Sequence, residues 1–193
     1  NSNNNKYEAN NNINAGGVIG VAGGRGTYTT SVIGPSQNGS DDLVLDMKAH
    51  SNVGGLVGTL YLCELEGATP NYHNCETPAF SISLRPESSV AADPNGQYVG
   101  GAIGVVCDSR NSFANGYAAD LISDITVNIP AGRTNTDAMI SGKNNLGGAV
   151  GAVFARGMGG SVNAVIDSPY AIKGTTWVGG AIGTLSLSGS GDN

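Results

Sequence analysis

Two histidines and three cysteines are the residues of this chain best suited to bind a metal ion or to act as nucleophiles. Neither His50 nor His73 begins the pattern H-E-x-x-H, which excludes a zinc peptidase of that type for this sequence. His73 with Cys63 and Cys75 would supply three metal ligands, but eleven residues separate the cysteines, whereas zinc sites pair them closely. We therefore predict a disulfide between Cys63 and Cys75 and a free thiol at Cys107, with three reduced cysteines as the alternative.

Carboxylates are the second set of candidates, because glycosidases need two carboxyl groups about 5 to 9.5 Å apart. Their offsets within the repeats described below do not match, so no catalytic pair is predicted and we do not expect an enzyme. The alternative is a polysaccharide lyase or hydrolase. The residues considered are Asp41, Asp42, Asp46, Glu64, Glu66, Asp108, Asp120, Asp124 and Asp167.

No cofactor is predicted from these residue types. Adjacent Asp41 and Asp42 are an alternative calcium site, since carboxylate oxygens are the ligands calcium prefers. Tyr98 and Trp177 each precede a V-G-G segment, so we expect both to cover a corner of the fold. Contact with glycans is the alternative for these two aromatic residues.

The composition bounds the partners. Charged residues are 12% of the chain, the net charge is −6, and the basic residues are scattered singly, so no basic stripe is available to bind nucleic acid. Glycine interrupts every apolar run before it reaches the roughly 20 residues of a membrane span. The expected partners are a second copy of the chain or flanking surface domains, with glycans as a further candidate.

A glycine-rich block recurs five times along the chain. The fold that these blocks form must hold all of the candidate residues in place. Each block has an apolar residue, two glycines, two residues of which the second is Ile or Val, and a third glycine. The five blocks are AGGVIGVA at 15–22, VGGLVGTL at 53–60, VGGAIGVV at 99–106, LGGAVGAV at 146–153 and VGGAIGTL at 178–185. Such self-similarity predicts a repeat architecture of stacked units, none of which folds alone.

Alternation along the block separates two faces. The face with β-branched residues is predicted to form the core, through Val53, Val57, Val99, Ile103, Leu146, Val150, Val178 and Ile182. The opposite, flat face needs cover, since glycine within a strand usually marks a close backbone approach. We predict it as a candidate interface, with bends at the corners as the equal alternative; its residues are Gly54, Leu56, Gly58, Leu60, Gly104, Gly151 and Gly183.

A second segment, with apolar residues at its first, third and fifth positions, follows each of the first four blocks. These segments are LVLDM at 43–47, FSISL at 80–84, ITVNI at 125–129 and VNAVI at 162–166, and each predicts a strand with one buried face. Turn-forming residues separate the segments. Only residues 87–92 and 116–122 could form a turn or two of helix.

The block VGGLVGTL, followed by a turn and an alternating strand, resembles the GLUG repeat of bacterial surface proteins and adhesins. Gly55, Leu56, Val57 and Gly58 are nearest to the motif, and other blocks have Ala or Val where Leu56 stands. The resemblance implies an extracellular or cell-surface, right-handed β-solenoid. It implies no particular chemistry.

We therefore predict an all-β, right-handed β-helix-like solenoid of about five Gly-Gly-containing rungs in one domain over residues 14–193. Residues 1–13 are predicted to be an Asn-rich linker or docking arm. The fifth block has no second segment after it, so we expect the N-terminal arm of a neighbouring copy to complete its rung or a neighbouring copy to cover the glycine face. Capping by further domains is the alternative. The predicted function is an extracellular structural or adhesive module that self-associates in a fibre, filament or stalk; a carbohydrate-binding or polysaccharide-cleaving domain is the alternative.

Overall fold

The structure of the protein is a computed structural model. It describes residues 6–8, 14–22, 44–62, 73–76, 79–108, 119–133 and 136–188. Over these ranges the chain is all-β, with no helix, and its strands are short and pair only in parallel. This arrangement is of the β-helix or solenoid-like kind. No helix in these ranges is long and apolar enough to cross a membrane.

The strands form five parallel sheets, numbered in the order in which the chain reaches them. Sheet 1 contains β1 (Lys6–Glu8), β4 (Asp46–Ala49), β9 (Ser89–Ala92), β14 (Ile140–Ser141) and β19 (Ile172–Lys173). Sheet 2 contains β2 (Ala15–Gly16), β5 (Val53–Gly54), β10 (Gln97–Gly100), β15 (Asn144–Gly147) and β20 (Thr176–Gly179). Sheet 3 contains β3 (Ile19–Ala22), β6 (Val57–Leu62), β11 (Ile103–Asp108), β16 (Val150–Ala155) and β21 (Ile182–Leu187).

Sheets 4 and 5 have three described strands each. Sheet 4 contains β7 (His73–Glu76), β12 (Ala119–Ile122) and β17 (Met158–Gly159). Sheet 5 contains β8 (Phe80–Ser83), β13 (Ile125–Ile129) and β18 (Val162–Ile166). The chain visits the sheets in a fixed cycle, which we divide into pass 1 (β1–β3), pass 2 (β4–β8), pass 3 (β9–β13), pass 4 (β14–β18) and pass 5 (β19–β21).

The register between passes aligns the glycine blocks residue for residue. In sheet 2, Val99 pairs with Val53 on one side and with Leu146 on the other. In sheet 3, Ile103 pairs with Val57 and with Val150 in the same way. The repeat in the sequence is therefore a repeat in space, because each block stacks directly on its counterpart in the neighbouring pass.

The core runs through the middle passes and includes both faces of the glycine block. The predicted core residues of passes 2 to 4 are almost fully buried: Val53, Val57, Val99, Ile103, Leu146 and Val150. Leu56 and Leu60, which the sequence assigned to the opposite face, are buried as well. In pass 5 the pattern changes, since Val178 is exposed and Ile182 is half-buried.

Sheet 5 contains three of the four alternating segments. Its first positions, Phe80, Ile125 and Val162, lie in register, and the first two are buried. The segment at 43–47 was wrongly grouped with these three. Its Asp46 and Met47 begin β4, which belongs to sheet 1. Met47 pairs there with Val90, and the side chain of Met47 is buried.

Sheets 1 and 4 contain strands that the sequence did not predict. Residues 87–92 and 116–122 were candidates for helical turns, but Ser89–Ala92 is strand β9 and Ala119–Ile122 is strand β12. Both strands gain parallel neighbours on each side. A sequence of four residues does not specify a strand in either segment. The hydrogen bonds between passes therefore determine that β9 and β12 are strands.

Two predictions fall largely on residues that the structure does not describe. Cys63 lies outside the described ranges, so the disulfide with Cys75 stays a prediction, and no disulfide is present within those ranges. Cys107 is half-buried on β11 and is not in a disulfide. Within the segment 1–13, Lys6–Glu8 pairs with β4 in parallel as the first strand of sheet 1.

Candidate functional site

The glycines of each block bring the backbones of successive passes into direct contact where sheets 2 and 3 meet; we call this region the glycine corner. A Cβ atom at Gly54 would lie 2.0 Å from the oxygen of Val57, and 2.7 Å from both the oxygen of Ala102 and the nitrogen of Gly104. Gly100 and Gly147 have the same surroundings one and two passes later. No side chain fits at these positions, so glycine is required there by the stacking itself.

A shared carbonyl links neighbouring passes at the bend of the glycine corner. The backbone N–H groups of Leu56 and Val57 both donate to the oxygen of Ala102, over 2.9 and 3.0 Å. The same pair of bonds recurs from pass 3 to the oxygen of Ala149 and from pass 4 to the oxygen of Ala181. The donors always lie in the earlier pass and the acceptor in the later one, which gives the stack a direction.

In passes 2 to 5, the residue before the glycine block adopts a left-handed backbone conformation. Asn52, Tyr98, Asn145 and Trp177 have φ angles of 53°, 61°, 58° and 52°. Asparagine tolerates this conformation, whereas bulky residues adopt it at an energetic cost. The turn is therefore a fixed geometric feature of every pass from 2 to 5, whichever side chain stands there.

Side chains at this turn contact the following pass. Thr184 of pass 5 donates from Oγ1 to Oδ1 of Asn145 in pass 4, over 2.6 Å, and Thr59 of pass 2 donates to Oδ1 of Asn14 in pass 1. Tyr98 of pass 3 packs edge to face on Phe154 of pass 4, with ring centroids 6.0 Å apart. Tyr98 thus covers a corner, as predicted from its position in the sequence.

The chain itself covers the face that the sequence marked as a candidate interface. Six of its residues are buried by neighbouring passes, namely Gly54, Leu56, Gly58, Leu60, Gly104 and Gly151, and Gly183 is half-buried. The close approach inferred from the glycines is therefore made within the molecule. The six positions in passes 2 to 4 therefore do not form an exposed surface.

The exposed apolar side chains concentrate at the two ends of the stack instead. At the pass 1 end, Val18 and Val21 are 58% and 48% exposed. At the pass 5 end, Trp177 and Val178 are 62% and 45% exposed, and Leu185 and Leu187 are exposed too. Trp177 occupies the corner position predicted for it but remains largely uncovered by the described residues.

One glycine at each end, Gly180 in pass 5 and Gly20 in pass 1, lacks the close backbone neighbour that its counterparts in the middle passes have. A Cβ atom at Gly148 would lie 2.1 Å from the oxygen of Gly180, yet one at Gly180 would meet only the tip of Ile166, at 4.0 Å. A Cβ atom at Gly58 would lie 2.6 Å from the oxygen of Gly20, yet one at Gly20 would meet only the oxygen of Asn14, at 3.5 Å. Each end of the stack therefore exposes a surface that, in the middle passes, is covered by the neighbouring pass. No described residues form a further pass on either surface.

His50 and Asp124 each contact the pass that follows their own. His50 Nδ1 lies 3.4 Å from Asp93 Oδ2 in an exposed pair that joins passes 2 and 3. Asp124 Oδ1 accepts hydrogen bonds from the backbone N–H and the hydroxyl of Ser161, over 2.9 and 2.7 Å. Within the part of the chain that the structure describes, no three His, Cys, Asp or Glu residues are close enough to hold a metal ion.

The most enclosed charged pair joins Asp120 on β12 to Arg156, which follows β16. Arg156 donates from Nε to Asp120 Oδ1 over 2.8 Å and from Nη2 to Oδ2, which is a bidentate pair. Hydrogen bonding from Arg156 holds the pKa of Asp120 below its usual value, against the opposing effect of burial. The pair therefore connects pass 3 to pass 4.

Arg133 is a second structural cation. Its Nη1 donates to the backbone oxygens of Pro86 and Ser88, over 2.7 Å each, and its Nε donates to the oxygen of Asp137 over 2.6 Å. Burial lowers the pKa of the Arg133 guanidinium. The Arg133 side chain therefore connects the segment after β13 to the residues just before β9, at the start of pass 3.

The outer face of sheet 5 is the polar surface that bears on glycan binding. Ser81, Thr126 and Asn163 pair in register across its three strands and are all exposed. In the next outward row, Ser83 and Asn128 are followed by exposed Val165. Neither row contains a carboxylate, and their side chains offer mainly hydroxyl and amide groups.

Of the other carboxylates considered, Asp46 begins β4, Asp108 ends β11 and Asp167 directly follows β18. Asp41, Asp42, Glu64 and Glu66 lie outside the described residues, so the alternative calcium site stays a prediction. Comparisons of the chain with protein-family models, with curated proteins and with solved structures find no match.

Proposed function

We propose that this protein is a structural module, a right-handed β-solenoid of five rungs that self-associates as the subunit of a fibre, filament or adhesin stalk. The observation that carries the proposal is the contrast between a closed interior and two open ends. Charged and polar groups in the middle passes fasten one pass to the next. The apolar side chains and strand edges left exposed lie mainly at the ends.

Strand edges support self-association. Sheets 1, 2 and 3 begin at β1, β2 and β3 and end at β19, β20 and β21, and no described strand pairs with these outer edges. Unpaired backbone N–H and C=O groups on an edge strand are a template for pairing with another chain. With exposed Val178 and Trp177 beside them, these edges favour association over a monomeric state.

Sedimentation velocity and electron microscopy over a range of protein concentrations test this function. We expect ordered oligomers or filaments that grow with concentration. A chain that remains a stable monomer at high micromolar concentration contradicts the proposed function. Removing residues 1–13 should weaken the assembly, because β1 would then be lost from sheet 1.

Extracellular or cell-surface location and the GLUG-like family are part of the same proposal. They rest on the repeat and on a low content of charged residues. Protease shaving of intact cells of the source organism should release the protein. Peptide mapping without reduction should then find Cys63 bonded to Cys75, because closing a loop of this length contributes about 3 kcal/mol to stability.

Glycan binding is the second candidate function, favoured by the polar rows of sheet 5. Exposed hydroxyl and amide groups at regular strand spacing could hydrogen-bond a polysaccharide along the stack. A panel of acidic and neutral polysaccharides tests this with two readouts, retention of the protein and release of new reducing or unsaturated ends. Robust turnover would replace the structural function with an enzymatic one.

A further inference from the structure

We propose that the pass 1 end of one copy stacks on the pass 5 end of a second copy, in the same parallel register that joins passes within the chain. The inference rests on the self-association proposed above and names the two surfaces that meet. Because the surfaces differ, the contact is heterologous and repeats head to tail. The occupant of each end is thus the opposite end of a second copy.

The backbone polarity of the glycine corner matches across such a junction. In passes 2, 3 and 4, two successive N–H groups donate to one carbonyl of the following pass. In pass 5 the corresponding donors are Ala181 and Ile182, and no described residue accepts from them. In pass 1 the corresponding carbonyl is that of Val18, which aligns with Leu56. The junction would join these two donors to this acceptor.

The glycines at the ends supply the space that the junction needs. Gly148 accommodates Gly180 of the following pass, and Gly180 in turn would accommodate Gly17 of the second copy. Gly58 accommodates Gly20 of the preceding pass, and Gly20 in turn would face Gly183 of the first copy. At the junction, Gly180 and Gly20 would therefore each form the same backbone contact that their counterparts form within the chain.

The exposed apolar side chains at the two ends meet in the same register. Thr59 and Thr184 each contact the turn residue of the preceding pass, Asn14 and Asn145. Val21 is the counterpart of Thr59 in pass 1, since the two residues pair in sheet 3. Val21 of the second copy would therefore contact Trp177, and both exposed side chains would leave water together.

A fibre built this way has a defined axial repeat. Sheets 2 and 3 contribute five strands per copy, and parallel strands lie about 4.8 Å apart, so the copies would repeat every ~24 Å. Fibre diffraction or electron microscopy should find both spacings along the fibre axis. A fibre whose strands lie parallel to the axis would overturn the proposal.

Two single-methyl variants test the junction at its two sides. Gly180→Ala blocks the pass 5 end and Gly20→Ala blocks the pass 1 end, while each methyl group has open space within its own copy. We expect each variant alone to remain monomeric where the unmodified protein assembles. Mixed in equal amounts, they should form 1:1 dimers and nothing longer, because each copy then has one usable end.

The outcomes separate the junction from the broader function. Unmodified protein that stays monomeric overturns both proposals. Assembly by the unmodified protein and by both variants overturns only the head-to-tail junction, as does a mixture that stays monomeric. Trp177→Asn and Val21→Asn are second variants for the two ends, because both side chains are exposed and neither change removes core packing. Tyr61→Asn, an exposed aromatic in pass 2, is the matched control and should assemble normally.

Discussion

Residues 99–104 and 178–183 have the same sequence, VGGAIG, in two different environments. In pass 3 all six residues are buried, and Val99 is 0% exposed. In pass 5 none of the six is buried, and Val178 is 45% exposed. The backbone geometry is the same, since both segments form the end of one strand, a bend and the start of the next.

The comparison separates what a block encodes from what its neighbour supplies. The block encodes a flat bend onto which another pass can stack, and only the next pass converts that bend into core. Stability in such an array is therefore a property of the interfaces between passes. The same substitution should have different effects at the two copies of VGGAIG, which makes the pair an internal control.

The largest difference is expected for alanine at the second glycine of the pair. At Gly101 the new Cβ atom would lie 2.3 Å from the oxygen of Gly148 and 2.8 Å from Cγ1 of Val127. We expect Gly101→Ala to lower the free energy of unfolding by about 3 kcal/mol. Gly180→Ala should change it by less than about 0.5 kcal/mol. Urea denaturation of dilute protein measures both, and equal losses would contradict the comparison.

Truncating the valine that opens each block should give the next largest difference. Val99→Ala leaves a cavity in a fully buried site and should cost about 2 kcal/mol. Val178→Ala removes a half-exposed side chain from the outermost described strand of sheet 2 and should cost less than about 1 kcal/mol in the monomer. Thermal unfolding at concentrations too low for assembly provides the measurement. At assembling concentrations the cost of Val178→Ala should rise towards that of Val99→Ala.

The ion pair between Asp120 and Arg156 tests the stability of an interface between two inner passes by a different means, because its contribution depends on charge. The folded-state pKa of Asp120 lies below its unfolded value of about 3.9. The contribution of the ion pair to the free energy of unfolding is therefore complete above pH ~3.9 and is lost as the pH falls through the folded-state pKa. We expect Asp120→Asn to cost about 1.5 kcal/mol at neutral pH and much less at acidic pH. An identical cost at both pH values would show that the charge is not involved.

The smallest effect is expected at Trp177, and its sign is opposite. Asparagine tolerates the left-handed turn better than tryptophan, so Trp177→Asn should raise the stability of the monomer by about 0.5 kcal/mol. Tyr98→Asn, at the same turn of pass 3, loses the ring contact with Phe154 and should be destabilising. Thermal unfolding of the two variants compares the corners directly, and destabilisation by both would contradict this account.

The sequence predicted the all-β class, the alignment of five blocks and a β-branched core face, because three glycines in fixed spacing leave few alternatives. That core face is buried in the middle passes, whereas Val178 of pass 5, predicted to belong to it, is exposed. It did not predict sheets 1 and 4. Strands such as Ile140–Ser141 and Met158–Gly159 are two residues long and contain no period, so only pairing between passes defines them. The partner of the glycine face was also missed, since Gly54 meets Gly104 across fifty positions of sequence.

The cycle in which the chain visits the sheets has a mechanical consequence. A force applied along the stack would load the parallel ladders so that one pass peels away at a time, not all together. Each peeled pass would lengthen the tether by the chain it releases, and the blocks are unequally spaced. The step from Val53 to Val99 contains 46 residues and that from Leu146 to Val178 contains 32, or about 16 and 11 nm of extended chain. A stalk built as proposed above would thus lengthen in discrete, unequal steps under load, absorbing tension without breaking a covalent bond.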